Sequence, residues 1–493
     1  MLLYSFLAIY FFVLFAVFVY ASHRYYMIYL YYKHQKNKPV LMGKLESLPV
    51  VTIQVPIYNE MYVVKRLILA VCNINYPKEL MEIQVLDDST DETAVMAKEC
   101  VDNFRKQGFD IHYIHRKDRA GFKAGALAEG LKTARGEYIC MFDADFVPQR
   151  DILKKTIHFF SDKSVGMVQT RWSYLNREYS LLTRIQAIML DGHFVIEHSA
   201  RNWSGRFFNF NGTAGIWRKE AIETAGGWHN DTLTEDLDLS YRAQIKGWRF
   251  IFLKDESSPS ELPVDINAFK TQQHRWAKGS IQTAKKLLPG IIKSRLPLRI
   301  KIEAFFHLTN NISYPLMLML SLLMYPSMVA RINAGWFQML VTDIPFLLVA
   351  TAGISFFYTC SQKEIHKDWL SRLLCLPMVM SLGIGLSVNN SRAVLEALVN
   401  RRTDFKRTPK FKIEEKKDRW TNKKYRGERN LLPVIELLLG IYFTFNIYFA
   451  YLNEVYVSIP FLMIFQIGFF YISVLSLLQV LGARIVSNKF VRH

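Results

Sequence analysis

MEIQVLDD at 81–88 and GEYICMFDAD at 136–145 are short apolar runs that end in acids, Asp87 and Asp88 in the first, Asp143 and Asp145 in the second. Runs of this length, bounded by turn-forming residues, read as strands. In an open α/β sheet, ligands bind beyond the carboxyl ends of the strands, so acids gathered there point to a nucleotide and a metal. Carboxylates at i and i+2 across the small Ala144 suit Mg²⁺ or Mn²⁺, and the ion in turn neutralises a diphosphate leaving group. The competing reading is that such acids turn the chain or cap the next helix. VVTIQVPIYNE at 50–60 reads as a third strand, and polar helix-like stretches separate the three. Residues 45–290 therefore form one soluble α/β domain.

The rest of the chain has a different composition. Of 493 residues, 51% are hydrophobic and 14% aromatic, and the formal net charge is +19. The basic residues lie beside apolar runs, the positive-inside pattern of a membrane protein, which argues against a nucleic-acid partner. Residues 1–23 read as a retained transmembrane anchor, with no Lys, Arg, Asp or Glu before Ser22 and with Arg24, Lys33, Lys36, Lys38 and Lys44 after it. Apolar segments resume at 304–330, 337–360, 373–391, 432–453 and 455–483. The basic loop at 361–372 places 373–391 on one side of the bilayer as an interfacial or re-entrant segment, leaving five spans, with six as the alternative. Residues 291–302 mix basic and apolar side chains and read as a helix along the inner surface. Thus 291–391 holds an interfacial helix, two spans and the re-entrant segment, 392–430 is a basic cytosolic loop, and 431–493 holds two spans and a basic tail. Asp343 and Glu436 fall near span ends, where snorkelling accounts for them. The five cysteines show no metal-ligand spacing and read as reduced.

Other segments of the α/β domain carry candidate chemistry. RAGFKAGALAEG at 119–130 sets Lys123 among small residues before a helix, where a cation and backbone amides meet phosphate. TED at 234–236 opens a helix, with Thr234 as its cap and Glu235 and Asp236 favoured by the dipole. A sugar hydroxyl attacking an anomeric carbon must lose its proton, and Asp236 is placed to take it. QQHRW at 272–276 supplies Gln272, Arg275 for diphosphate and Trp276 as a flat face for a pyranose. Each segment also has a bland reading, as an acidic first turn or a core tryptophan.

Taken together, PIYNE at 56–60, DD at 87–88, DAD at 143–145, TED at 234–236 and QQHRW at 272–276 resemble the family 2 processive glycosyltransferases, the group of cellulose synthase, hyaluronan synthase and the plant cellulose-synthase-like mannan and glucan synthases. The resemblance implies a GT-A catalytic domain, doubly wound and Rossmann-like, on the cytosolic side, joined to an α-helical transmembrane domain. It implies that Pro56, Tyr58, Glu60, Asp87, Asp88, Lys123, Asp143, Gln272, Arg275 and Trp276 bind the nucleotide-sugar donor, GDP-mannose or UDP-glucose. Asp143 and Asp145 would hold Mg²⁺ or Mn²⁺, and Asp236 with Glu235 would be catalytic. FNFNGTAGIW at 208–217 looks like the acceptor loop, with Asn211, Gly212 and Thr213 joining Trp276 near the growing chain end. FKRTPK at 405–410 looks like the gating loop, carried by Phe405, Thr408 and Lys410, although Arg407 replaces the family's valine and Phe411 stands where cellulose synthase has glycine.

The implied activity is inverting, processive synthesis of a β-linked, β-1,4 in the first instance, mannan, glucomannan or glucan. The growing polysaccharide would pass outward through the bilayer of the plasma or inner membrane, with an accessory secretion subunit as a possible partner. Two other classes compete: a non-processive enzyme that adds one sugar to a lipid, as ceramide glucosyltransferases do, and a transporter whose soluble domain only senses nucleotide sugar. The scarcity of intramembrane charge argues against the second.

Overall fold

The computed structural model describes residues 2–331, 336–401, 405, 407–425 and 431–490. Parts of the basic loop, including Lys406, and the tail residue Arg492 lie outside the described residues. A seven-stranded sheet organises the α/β region: β1 (Val51–Ile57), β2 (Met81–Asp87), β3 (Asp110–His115), β4 (Tyr138–Met141), β5 (Val165–Tyr174), β6 (Gly215–Arg218) and β7 (Arg249–Ser260). Their order is β3-β2-β1-β4-β6-β5-β7. The β3-β2-β1-β4 half is parallel, whereas β6 runs antiparallel to both of its neighbours. The result is a mixed GT-A sheet with a Rossmann-like half.

Every residue of β1 and β2 is buried, as expected of strands covered by helices on both faces. Val51, Ile53, Val55 and Ile57 enter one core with Leu67, Ile83 and Phe142. A second core gathers Leu86, Leu127, Ile139, Met141 and Trp217. The polar residues of β1 do not interrupt this packing, because Gln54 Nε2 donates to Gln84 Oε1 at 3.0 Å and Thr52 Oγ1 donates to Glu82 Oε2 at 2.5 Å. Buried polar groups are tolerated when paired in this way.

Among the described residues, four helical stretches are long and apolar enough to cross a membrane: Ser5–Lys33, Leu298–Arg331, Leu432–Leu452 and Tyr456–Val480. A pair bent by 40°, Trp369–Gly385 with Ser387–Leu398, raises the number to five if it is one span. Large apolar side chains on these helices stand exposed, among them Phe12, Leu438 and Phe445, as a lipid-facing surface requires. This is the make-up of a membrane protein. The segment at 291–302 is not a single surface helix: its first residues complete the helix Ile266–Lys293, and Leu298 starts the next one.

Asp343 and Glu436 do not snorkel. Asp343 pairs with Arg331 at 2.6 Å, and Glu436, fully buried, receives Lys270 Nζ at 2.6 and 2.8 Å. A carboxylate facing lipid is costly, and a lysine from the neighbouring domain satisfies it instead. Lys270 belongs to the helix that carries QQHRW, so this pair fastens the α/β region to a candidate span. Removing one partner leaves an uncompensated buried charge. Glu436→Ala is expected to lower stability by about 3–5 kcal/mol in thermal unfolding of the detergent-solubilised protein, and the double variant K270M/E436L to regain most of that loss.

Candidate active site

The strand ends meet in one cleft lined by residues of all the motifs. At the end of β1, Asn59 adopts a left-handed backbone at φ 53°. Its N–H donates to Ser89 Oγ at 2.8 Å, and its side-chain oxygen accepts from the Thr90 N–H at 2.8 Å. This ties the β1 end to the β2 end and leaves Pro56, Tyr58 and Glu60 in the cleft wall. Asp88 also lines the cleft, held by a two-point contact from Arg116 at 2.7 and 2.6 Å.

Asp87 departs from expectation. It is fully buried, accepts from the Tyr113 hydroxyl at 2.6 Å and the Ser89 N–H at 2.9 Å, and is not among the lining residues. Its place in this structure is to shape the β2 turn. Thr213 likewise stands behind the cleft, where its hydroxyl accepts from the Asp143 N–H at 2.9 Å and so fixes the DAD turn.

Asp143, Asp145, Lys123, Asn211, Gly212, Glu235, Asp236, Gln272, Arg275 and Trp276 all line the cleft. Lys123 opens the helix Phe122–Thr133, and its ammonium donates to Asp143 Oδ1 at 2.5 Å and to the Gly212 carbonyl at 2.9 Å. Burial lowers the Lys123 pKa, but Asp143 and Glu235 outweigh that and raise it, so the lysine stays charged. Gly212 has φ 79°, and a Cβ there would stand 2.9 Å from Asp236 Oδ2 and 3.3 Å from Lys123 Nζ. The Gly212 backbone, the Asp236 carboxyl and the Lys123 ammonium therefore meet at one point.

The helix Glu235–Ile245 positions Asp236, whose Oδ1 accepts from the Leu237 N–H at 2.8 Å. Thr234 occupies the N-cap position without a capping bond. Its hydroxyl turns instead to Thr283 at 3.4 Å, where the QQHRW helix passes so close that a Cβ on Gly279 would fall 2.5 Å from Thr234. Burial, and then the neighbouring Glu235 charge, push the Asp236 carboxyl up to about 7. Glu60 is also pushed up to about 7 by burial, against the nearby Arg407.

Phe405, Thr408 and Lys410 enter the same cleft. Phe405 stacks on Phe122 with centroids 5.7 Å apart, and the Arg275 guanidinium lies 4.6 Å from its ring centre. Lys410 Nζ donates to Asp145 Oδ2 at 2.7 Å and to the Glu261 carbonyl at 2.9 Å. The two departures from the family pattern have structural roles: Arg407 lies 3.5 Å from Glu60 and over Tyr425, and Phe411 is buried beside Val264 and Ile413.

Asp143 and Asp145 are hard oxygen donors, and each has a lysine ammonium on one oxygen, the place of a positive charge. That donor set fits Mg²⁺ or Mn²⁺. A second acidic cluster, His229, Asp231 and Asp238, already holds the Lys286 ammonium at 2.8 and 2.9 Å from its two carboxylates. Several cleft residues escape motif reading. Arg119, stacked 3.4 Å from the Tyr58 ring centre, belongs to a basic run before Lys123 that carried a usable signal, and Glu261 sits in the ELP tripeptide at 261–263. Gly212→Ala is expected to displace Asp236 and cut turnover by roughly 10²-fold in a radiolabel transfer assay, with nucleotide affinity retained.

Residues 49–279 match the family described as "Glycosyltransferase like family 2". The chain is 43% identical over 255 residues to glucomannan 4-beta-mannosyltransferase 2 of Arabidopsis thaliana, covering 50% of this chain and 48% of that protein. It is 44% identical over 255 residues to the probable glucomannan 4-beta-mannosyltransferase 11 of Oryza sativa subsp. japonica, covering 50% and 45%. The chain thus spans about half the length of the curated relatives it matches. Among solved structures, mannosyltransferase PcManGT from Pyrobaculum calidifontis, in complex with GDP-Man and Mn2+, superposes with a TM-score of 0.52 at 19% identity, over 80% of this chain and all of that one, a likeness of fold.

Proposed function

We propose that this chain, whose residues 49–279 are a family 2 glycosyltransferase domain, polymerises a β-linked mannan or glucomannan from a nucleotide sugar and passes it across the plasma or inner membrane. The observation that carries the reading is the meeting of Asp236, Lys123 and the Gly212 backbone beside the DAD carboxylates in one cleft. GDP-mannose is the first donor to test, because the relatives at 43–44% identity are named for mannosyl transfer. UDP-glucose is the second.

In the proposed reaction the acceptor hydroxyl attacks the anomeric carbon from the face opposite the nucleotide, and an α-linked donor gives a β-linkage. Asp236 accepts the hydroxyl proton as the bond forms. A raised pKa suits that role, since a base poised near the working pH is both ionised and basic. Lys123 and Arg275 bind the diphosphate oxygens, and Trp276 offers its face to the acceptor ring. A divalent cation on Asp143 and Asp145 would supply charge neutralisation of the leaving nucleoside diphosphate. The candidate spans adjoin the QQHRW helix through Lys270 and Glu436, which supports coupling of elongation to export.

The test is to incubate the purified, detergent-solubilised protein with Mn²⁺ or Mg²⁺ and radiolabelled GDP-mannose or UDP-glucose separately, then size and digest the product. A long polymer cut by β-mannanase is expected from GDP-mannose. A single sugar on lipid would place the protein with the non-processive enzymes. Asp236→Asn is expected to retain donor binding while losing at least about 10²-fold in turnover, the scale of general-base catalysis. Because Asp236 is protonated below about 7 and cannot then accept a proton, wild-type transfer should fall as the pH drops through that value and level off above it. Retention of full rate a unit lower would contradict the assignment.

A further inference from the structure

Behind the acceptor side of the cleft lies a short π-helix, Gly192–His198, a rare element that recurs at functional sites. Residues five apart stand about 140° apart around an α-helix. The wider π-turn brings His193 and His198 together, with ring centroids 4.3 Å apart. Both imidazoles reach the carboxamide of Asn211, which lines the cleft beside Gly212.

The proton positions follow from one fixed acceptor. His198 Nε2 lies 3.1 Å from the Asn209 carbonyl, which can only accept, so Nε2 carries the hydrogen. The same N–H is 2.7 Å from Asn211 Oδ1, which therefore accepts. Asn211 Nδ2 then donates to His193 Nε2 at 3.1 Å, and His193 Nδ1–H donates to Glu197 Oε2 at 2.9 Å. Glu197 is anchored in turn by Arg24, from the first candidate span, and by Arg201 at 3.5 Å. The Asn211 N–H is fixed as well, on Gln169 Oε1 at 3.1 Å. Burial keeps both imidazoles neutral, as this chain of donors and acceptors requires.

We propose that His193 and His198 are positioning residues that lock the Asn211 carboxamide in one orientation, so that its second Nδ2–H serves as a donor to an oxygen of the acceptor sugar. The inference rests on the reading of this cleft as a sugar-transfer site. A free asparagine side chain presents its oxygen or its nitrogen with equal ease, whereas this one presents N–H. The selectivity generated is for an acceptor oxygen, leaving the donor nucleotide to the lysine and arginine side.

Two substitutions at His193 separate positioning from structural support. His193→Asn keeps a donor near the Nδ1 position for Glu197 but loses the acceptor at Nε2. His193→Gln places an oxygen near Nε2 and gives up the bond to Glu197. With the full-length protein, binding of β-1,4-linked mannotetraose and of GDP is measured for each variant, together with the acceptor and donor KM. The expected result is an acceptor affinity about tenfold weaker in His193→Asn, with GDP affinity within about twofold of wild type, and near-normal acceptor binding in His193→Gln. His198→Gln, which retains a donor near Nε2, should also bind acceptor normally. Equal loss of acceptor and GDP binding, a larger loss in His193→Gln than in His193→Asn, or no mannotetraose binding by wild type would overturn the inference. Intact binding with the expected pattern but no transfer from either GDP-mannose or UDP-glucose would overturn the functional reading and leave the positioning role standing.

Discussion

Repulsion among the carboxylates of strand ends and of one helix start is the constraint on which the cleft depends. Asp88, Asp143, Asp145, Glu235 and Asp236 share one partly buried space. Charges of one sign at such distances, in a medium less polar than water, cannot all persist without counterions. Arg116 answers Asp88, Lys123 answers Asp143 and Lys410 answers Asp145, each within hydrogen-bonding distance. Among the described residues no lysine or arginine forms an ion pair with Asp236, and burial, then the neighbouring Glu235 charge, raises its proton affinity. The compensation that lets the site fold thus also sets three paired carboxylates, Asp88, Asp143 and Asp145, apart from Asp236, whose raised proton affinity suits a base.

The helix Ile266–Lys293 carries this arrangement to the rest of the molecule. Arg275 and Trp276 face the cleft, and Gly279 lets the TED turn pack against the helix backbone. Lys270 pairs with Glu436, and Lys278 pairs with Glu396 at 3.1 Å. Both lysines are buried, so both pairs exchange hydration for fixed geometry. A displacement of the candidate spans would therefore reach Arg275 and Trp276 through a stiff element. That mechanical continuity is what coupling between elongation and export would require.

The strands, the acidic ends and four of the five expected spans, those at 1–23, 304–330, 432–453 and 455–483, were legible because each rests on a local pattern: apolar runs of strand length, acids at i and i+2, and uncharged stretches long enough for a bilayer. DAD, TED and QQHRW do meet in space. What sequence reading missed depends on direction and partner choice. Adjacent acids at a strand end point to opposite faces, so of Asp87 and Asp88 only one lines the cleft. Thr234 sits where a cap belongs but turns to Thr283. The snorkelling expected of Glu436 failed because a lysine distant in sequence reaches it. His193 and His198 gave no signal, since their spacing is meaningful only in a π-turn that no local propensity announces.

The most direct measurement is a cryo-EM structure of the full-length protein with GDP and Mn²⁺. The account predicts nucleotide density in the cleft, with its diphosphate between the DAD carboxylates and Arg275 and with Asp236 left open toward Asn211 and Trp276. Density for the nucleotide elsewhere, or a diphosphate separated from DAD and QQHRW, would contradict it.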